Sequence, residues 1–295
     1  MSARILDGKA LALKIRGELA QEVARRIDQG VRPPGLKVIL VGEDPASAIY
    51  VRNKEKAAAK MGIVGGVERL PASTSARELR AAVERVNADD AVDGLLVQLP
   101  LPEAIDPAQV RSWIDPQKDV DGLHPENVGL LASGQARYVP CTPAGCMALL
   151  IEHGIEVAGK RALVIGRSLI VGRPMAALLS QKGVDATVTI YHSRSHGLAE
   201  LGRQADIIVA AAGTPGLLRA EHVKEGAAVL DVGMHRVPDA DAPKGTRLMG
   251  DVDPGVAELA SWISPVPGGV GPMTIAMLLS NTVLSHGRRT GTSSQ

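Results

Sequence analysis

The chain has 295 residues, 45% of them hydrophobic but only 2% aromatic, a length that suits two domains of ~100–200 residues with cores of Ala, Val, Leu and Ile. Basic and acidic residues number 33 and 32, a balance that argues against an electrostatic grip on nucleic acid or a membrane surface. No run of ~18 apolar residues is present, and the opening MSARILDGKALALKIRGELA scatters charges where a signal peptide needs an apolar block.

In chain order, LKVILVG (36–42) reads as a buried strand. Asp44 follows as a helix N-cap with Pro45 at the first helical position. The helix they open, DPASAIYVRNKEKAAAKMGI, places Tyr50 and Lys54 on one face at i and i+4, with Arg52 and Lys56 pointing away. VDGLLVQLPLP (92–102) reads as a strand ending in prolines. Its Gln98 lies at the carboxyl end, where open α/β sheets present ligand groups. The loop-rich WIDPQKDVDGLHPENVGLLASGQARYVP carries Asp119 and Asp121 and leads to a domain boundary near residue 140. Cys141 and Cys146 are too few for a disulfide framework and fit a reduced, cytoplasmic protein. They lack further ligands at tetrahedral spacing, so packed thiols are expected and no metal. Thr142 and Pro143 mark a helix start.

Four further strands are expected: RALVIG, ATVTIYH, ADIIVAAAG and AAVLDVG. Continuous apolar strands between helical stretches define an α/β fold with parallel-type sheets covered on both faces. The polar end, 287–295, is expected to be disordered.

ALVIGRSLIVGRPMAALLSQKGVDATVTIYHSRS is a strand, a glycine turn, a helix and a second strand, the first unit of a Rossmann-like dinucleotide fold. It lacks G-x-G-x-x-G: Gly166 and Gly172 stand six apart, with Arg167 and Ser168 between. Gly166 gives the tight turn, Gly172 the close approach of helix to strand, and N–H groups at the helix start attract an anion. Such turns also occur in α/β proteins that bind nothing there. An NAD site usually places Asp or Glu at the end of the second strand. This chain has His192, Ser193, Arg194 and Ser195 instead, a hydroxyl and a guanidinium that suit a 2′-phosphate. NADP is expected over NAD.

Taken singly, the groups in the first half have ordinary readings: packed tyrosine, solvated lysine, strand-end amide, turn aspartates. Taken together, YVRNK, QLPLP, KDVDG, PCTPAG, GRSLIVGRP and PVPGGVGPMT occur in order along nearly the whole chain. The set resembles the bifunctional methylenetetrahydrofolate dehydrogenase/methenyltetrahydrofolate cyclohydrolase family. The resemblance implies oxidation of 5,10-methylenetetrahydrofolate with NADP, then hydrolysis to 10-formyltetrahydrofolate, within one-carbon metabolism. A dehydrogenase without useful hydrolysis is the alternative.

It further implies that Lys54 is catalytic, with Tyr50 beside it and Gln98 bonded to it. Asp121 is to grip the pterin ring, while Pro265, Pro267, Gly268, Gly269 and Gly271 line the folate pocket. Gly166, Arg167, Ser168, Ser193, Gly233 and Met234 fall on the cofactor side, to which the turn reading adds Gly172 and Arg194. Leu169 stands where many relatives are polar. Residues 1–139 with a C-terminal helix, 272–286, form the implied folate domain, and 140–271 the NADP domain, with the active site in a cleft between them. A cytoplasmic homodimer is implied.

The chemistry explains these residue types. Hydride leaves the bridge carbon, water adds to the resulting cation, and the ring opens. A lysine handling those protons must give up about 4 kcal/mol of its preference for the charged form. Desolvation and a neighbouring cation both push that way. A carboxylate at Asp121 accepts the two adjacent N–H donors of an aminopyrimidinone edge, while Asp119, as a turn aspartate, is expected to matter less. In PVPGGVGPM the prolines fix φ and the glycines admit a flat ligand.

Overall fold

The computed structural model describes residues 3–240, 242 and 245–292, without the side chains of residues 45 and 46. The first elements are β1 (Arg4–Ile5), α1 (Gly8–Asp28), β2 (Gly35–Val41), α2 (Pro45–Lys60), β3 (Val64–Leu70), α3 (Ala76–Asn87), β4 (Gly94–Val97), α4 (Pro107–Trp113) and α5 (Pro125–Ala132). Then come α6 (Cys141–Glu152), β5 (Arg161–Ile165), α7 (Gly172–Ser180), β6 (Thr187–Tyr191), α8 (Leu198–Gln204), β7 (Ile207–Ala210) and β8 (Ala228–Asp231). The chain closes with β9 (His235–Pro238), β10 (Thr246–Met249), β11 (Trp262–Ile263) and α9 (Val270–Thr290). They form two compact units, a first of Leu13–Val139 with the chain from Ile275 on, and a second of Pro140–Thr274 with residues up to Ala12.

The first unit holds a parallel sheet in the order β3-β2-β4. Its buried strand residues Ile39, Val41, Leu95 and Val97 pack with Leu79 and Val83 of α3. That helix forms because Ser75 and Glu78 make a reciprocal capping box and its buried residues, Leu79, Ala82, Val83 and Val86, recur at helical spacing.

The second unit holds a sheet of parallel strands in the order β1-β11-β8-β7-β5-β6. Register levels the carboxyl ends: Ile165 pairs with Tyr191 on one side and Ala210 on the other, and Ala210 pairs with Asp231. Neighbours are added to opposite sides of β5, which makes its carboxyl end the switch point where open α/β sheets bind ligands. Leu163, Ile165, Ile208 and Val229 form the strand side of a core completed by Leu218, Val223 and Val256.

Several expectations are corrected. Residues up to Ala12 belong to the second unit, because Arg4 and Ile5 pair with Trp262 and Ile263. Helix α6 starts at Cys141 with Pro140 at the cap position, not at Thr142. Pro143 still falls in the first turn, where its missing N–H removes no helical bond. The Thr142 hydroxyl lies instead 3.3 Å from that of Thr274. The polar C-terminus is helical through Thr290, with Arg288 donating to the Arg137 carbonyl at 2.8 Å. The rest of the expected tail falls partly outside the described residues. Both cysteines are buried free thiols, and burial pushes Cys146 up to about 12.

Candidate functional site

In the first unit, Asp44 caps α2 by accepting the Ser47 N–H at 2.7 Å, which fixes where Tyr50 and Lys54 stand one turn apart. Beyond β4, the Gln98 N–H still bonds the Ile39 carbonyl at 2.8 Å, so Gln98 continues the strand line. Its amide nitrogen is committed to the Leu99 carbonyl at 2.7 Å. The amide oxygen is thereby turned to the Lys54 amine, which donates to it at 3.0 Å. The Ser47 hydroxyl donates to the same Leu99 carbonyl at 3.3 Å and ties the first turn of α2 to the strand end. Lys54 is 6% exposed, and its amine lies 5.4 Å from the centroid of the Tyr50 ring. Arg52 and Lys56 are exposed. The arrangement holds one amine in a largely desolvated place with a fixed acceptor, the geometry a proton-handling group requires.

The KDVDG loop divides its work. Lys118 is 1% exposed and donates to the carbonyls of Val86, Asn87 and Asp89 at 3.2, 2.7 and 2.7 Å. It therefore closes the C-terminus of α3. Asp119 is no ordinary turn aspartate: it is 2% exposed and accepts from His124 N–H at 2.7 Å and Asn127 Nδ2 at 2.8 Å. Burial pushes its carboxyl up to about 6 against those bonds. Val120, between the two aspartates, has its carbonyl bonded by Asn281 Nδ2 at 2.8 Å. Asp121 is half-buried and lines a pocket with Val97, Leu99 and Leu123. Leu99 thus joins the wall beside Asp121 to the side chains that orient Lys54. Lys118, Asn281 and Ser47 escaped the sequence reading, since only the fold shows what their polar ends meet.

In the second unit, Gly166 has φ +121°, and a Cβ there would lie 2.1 Å from the Ala211 carbonyl oxygen. A Cβ on Gly172 would lie 2.2 Å from the Gly166 oxygen. The turn and the start of α7 therefore pack with no room for side chains, leaving the backbone open to a ligand. The Ser168 hydroxyl accepts the Val171 and Gly172 N–H groups at 3.1 and 3.4 Å, and Arg167 is exposed beside it. After β6, His192 N–H donates to Ser195 Oγ at 3.1 Å, and Arg194 N–H to His192 Nδ1 at 3.2 Å. This turn leaves the Ser193 and Arg194 side chains exposed. Gly233 follows β8 with its N–H on Asp231 Oδ1 at 3.0 Å, and Met234 is 53% exposed. A glycine cradle at the switch point with a hydroxyl and a guanidinium at the next strand end fits a phosphorylated dinucleotide.

The Pro265–Gly271 segment, also in the second unit, is fixed by Gly269 N–H to the Pro265 carbonyl at 2.8 Å and Lys9 N–H to the Gly268 carbonyl at 2.9 Å. The Val266–Pro267 bond is cis, and Gly268 has φ +113°. A Cβ on Gly269 would meet the Pro265 oxygen at 2.7 Å. Gly271 is the exception: it lies in the first turn of α9, where a Cβ would meet nothing within 4 Å.

Comparison with known proteins agrees in both halves. Residues 6–121 match the family model for the tetrahydrofolate dehydrogenase/cyclohydrolase catalytic domain, and residues 140–290 its NAD(P)-binding domain. The chain is 55% identical over 285 residues to a bifunctional protein FolD of Sorangium cellulosum (strain So ce56), covering 96% of each. Among solved structures, it is similar to a bifunctional FolD methylenetetrahydrofolate dehydrogenase/cyclohydrolase from Campylobacter jejuni, with a TM-score of 0.92 and 46% identity over 98% of this chain and 100% of that one. The Trypanosoma brucei methylenetetrahydrofolate dehydrogenase-cyclohydrolase, solved with NADP cofactor and an inhibitor, also gives 0.92, at 44% identity over 98% of each chain.

Proposed function

The chain belongs to the tetrahydrofolate dehydrogenase/cyclohydrolase family, and from that premise we propose how its residues divide the two reactions. The protein oxidises 5,10-methylenetetrahydrofolate to the 5,10-methenyl compound with NADP, then hydrolyses that product to 10-formyltetrahydrofolate. When bound, NADP supplies the hydride acceptor. Gly166, Arg167, Ser168 and Gly172 hold its phosphates through backbone N–H groups and charge, Ser193 and Arg194 take the 2′-phosphate, and Gly233 and Met234 complete the cofactor side. Asp121 accepts two N–H groups of the pterin edge and orients the one-carbon unit. Pro265, Pro267, Gly268, Gly269 and Gly271 supply backbone and ring surface to the folate.

Lys54 takes the proton of the water that adds to the methenyl carbon and returns one as the ring opens, with Tyr50 and Gln98 fixing its position. One observation carries this assignment: Lys54 is 6% exposed and its amine is held by the Gln98 amide oxygen at 3.0 Å. General acid–base catalysis contributes typically ~10²–10⁴-fold. Lys54→Met, which keeps the apolar stem, is therefore expected to lower cyclohydrolase kcat at least ~100-fold with an unchanged circular dichroism spectrum. A fully active Lys54→Met protein would end the assignment. The protein works as a cytoplasmic homodimer, and a monomeric mass in sedimentation equilibrium would contradict this.

A further inference from the structure

Asp251 is 0% exposed and lies after β10, outside every motif singled out above. Its Oδ2 accepts the Ala212 and Gly213 N–H groups, at 2.6 and 2.9 Å, in the loop after β7. Its Oδ1 lies 2.7 Å from His235 Nε2, just beyond Met234. Its own N–H donates at 2.8 Å to Asp231 Oδ1, the oxygen that also accepts Gly233 N–H at 3.0 Å. Two glycines make room for these carboxylates: a Cβ on Gly233 would stand 2.2 Å from Asp251 Oδ1, and one on Gly250 1.7 Å from Asp231 Oδ2. The loop that Asp251 holds presents the Ala211 carbonyl, against which Gly166 is packed.

We infer that Asp251, braced by His235, is a positioning residue for the dinucleotide: it locks the loops after β7 and β8 into the shape against which the Gly166 turn rests. The inference rests on assigning Gly166–Ser168 and Gly233–Met234 to the cofactor. The buried carboxylate sits at the ligand end of the sheet with both oxygens engaged, so it acts through the backbone it holds and touches no reacting atom. Geometry matters here more than charge. An amide at this position can still accept both loop N–H groups through its oxygen while its nitrogen faces His235.

The test is NADP affinity by fluorescence titration, with cyclohydrolase rate on added methenyltetrahydrofolate, which consumes no cofactor, as the second readout. Asp251→Ala is expected to raise the NADP Kd at least tenfold, and Asp251→Asn to restore it to within about threefold. The hydrolysis rate of both should stay within twofold of the parent. Should Asp251→Ala fail to fold, the partly exposed partner decides: His235→Ala raises the NADP Kd at least threefold and His235→Gln, which keeps a donor, returns it. Gly166→Ala serves as the reference. If it leaves NADP affinity intact, the cofactor assignment itself is wrong. If it weakens NADP while folded Asp251→Ala or His235→Ala does not, or if hydrolysis falls in step with affinity, the positioning role is overturned.

Discussion

At the scale of single residues, the KDVDG loop separates holding from binding. Lys118 closes three carbonyls at the end of α3 and is fully enclosed. Burial lowers its pKa from the ordinary lysine value, yet hydrogen bonds to a charged donor are worth more than neutral ones. Lys118→Met leaves those carbonyls without their partner and should cost about 3 kcal/mol in urea unfolding. Asp121→Ala, at a half-exposed carboxylate, should leave the unfolding midpoint in place and raise the folate KM at least tenfold. Asp119 gives a pH signature. Its folded pKa, about 6, exceeds the ordinary 3.8. The folded state therefore binds its proton more tightly, and the associated stability is present below pH ~4 and lost as pH rises through ~6. Wild type should lose on the order of 3 kcal/mol relative to Asp119→Asn between pH 4 and 7. A pH-independent difference would show that burial does not control this carboxyl. The sequence separated Asp121 from Asp119 only through the family resemblance and took Asp119 for a turn residue, because aspartates two apart look alike until the fold buries one of them.

At the scale of elements, apolar strands and their punctuation were legible, and elements shaped by backbone contacts were not. The strands β2, β5, β7 and β8 are near-continuous apolar runs buried along their length, so pattern alone found them. The β3 strand, VGGVERL, escaped because glycine disfavours strands. Here Gly65 has φ +126°, and a Cβ would stand 2.0 Å from the Leu36 carbonyl oxygen, so the strand needs the residue that hides it. The β9–β10 hairpin has two strands of four residues with no fully buried position, which leaves no apolar run for a pattern to register. The glycine turn was legible for a physical reason: a strand entering a helix through a crowded turn leaves few residue choices. Gly166→Ala must move the Ala211 carbonyl or leave φ +121°, and either changes the cradle. It should weaken NADP at least tenfold and abolish NADPH formation. An alanine variant with parental NADP affinity would show that the turn does not cradle the phosphates.

At the scale of the whole molecule, a chain with almost no aromatic residues builds two parallel sheets from aliphatic strands, one in each unit. The apolar strand pattern pointed to the parallel sheets, while the placement of the N-terminal strand depended on a pairing between residues more than 250 positions apart, which no local pattern encodes. The lysine and its amide partner lie in the first unit and the glycine cradle in the second, so the two activities should separate by mutation. Hydride transfer moves no proton through an amine, so Lys54→Met should form NADPH within tenfold of the parent and accumulate methenyltetrahydrofolate in equal amount. Gly166→Ala should form no NADPH yet hydrolyse added methenyltetrahydrofolate. An equimolar mixture should regain conversion of methylene- to formyltetrahydrofolate, after a lag in which the methenyl compound builds up in solution, because the product of one protein must reach the other. Stopped-flow absorbance that separates NADPH from the methenyl chromophore reads all three. Loss of both activities in either single variant would mean that the two steps depend on one indivisible set of groups, and the assignment by unit would fail.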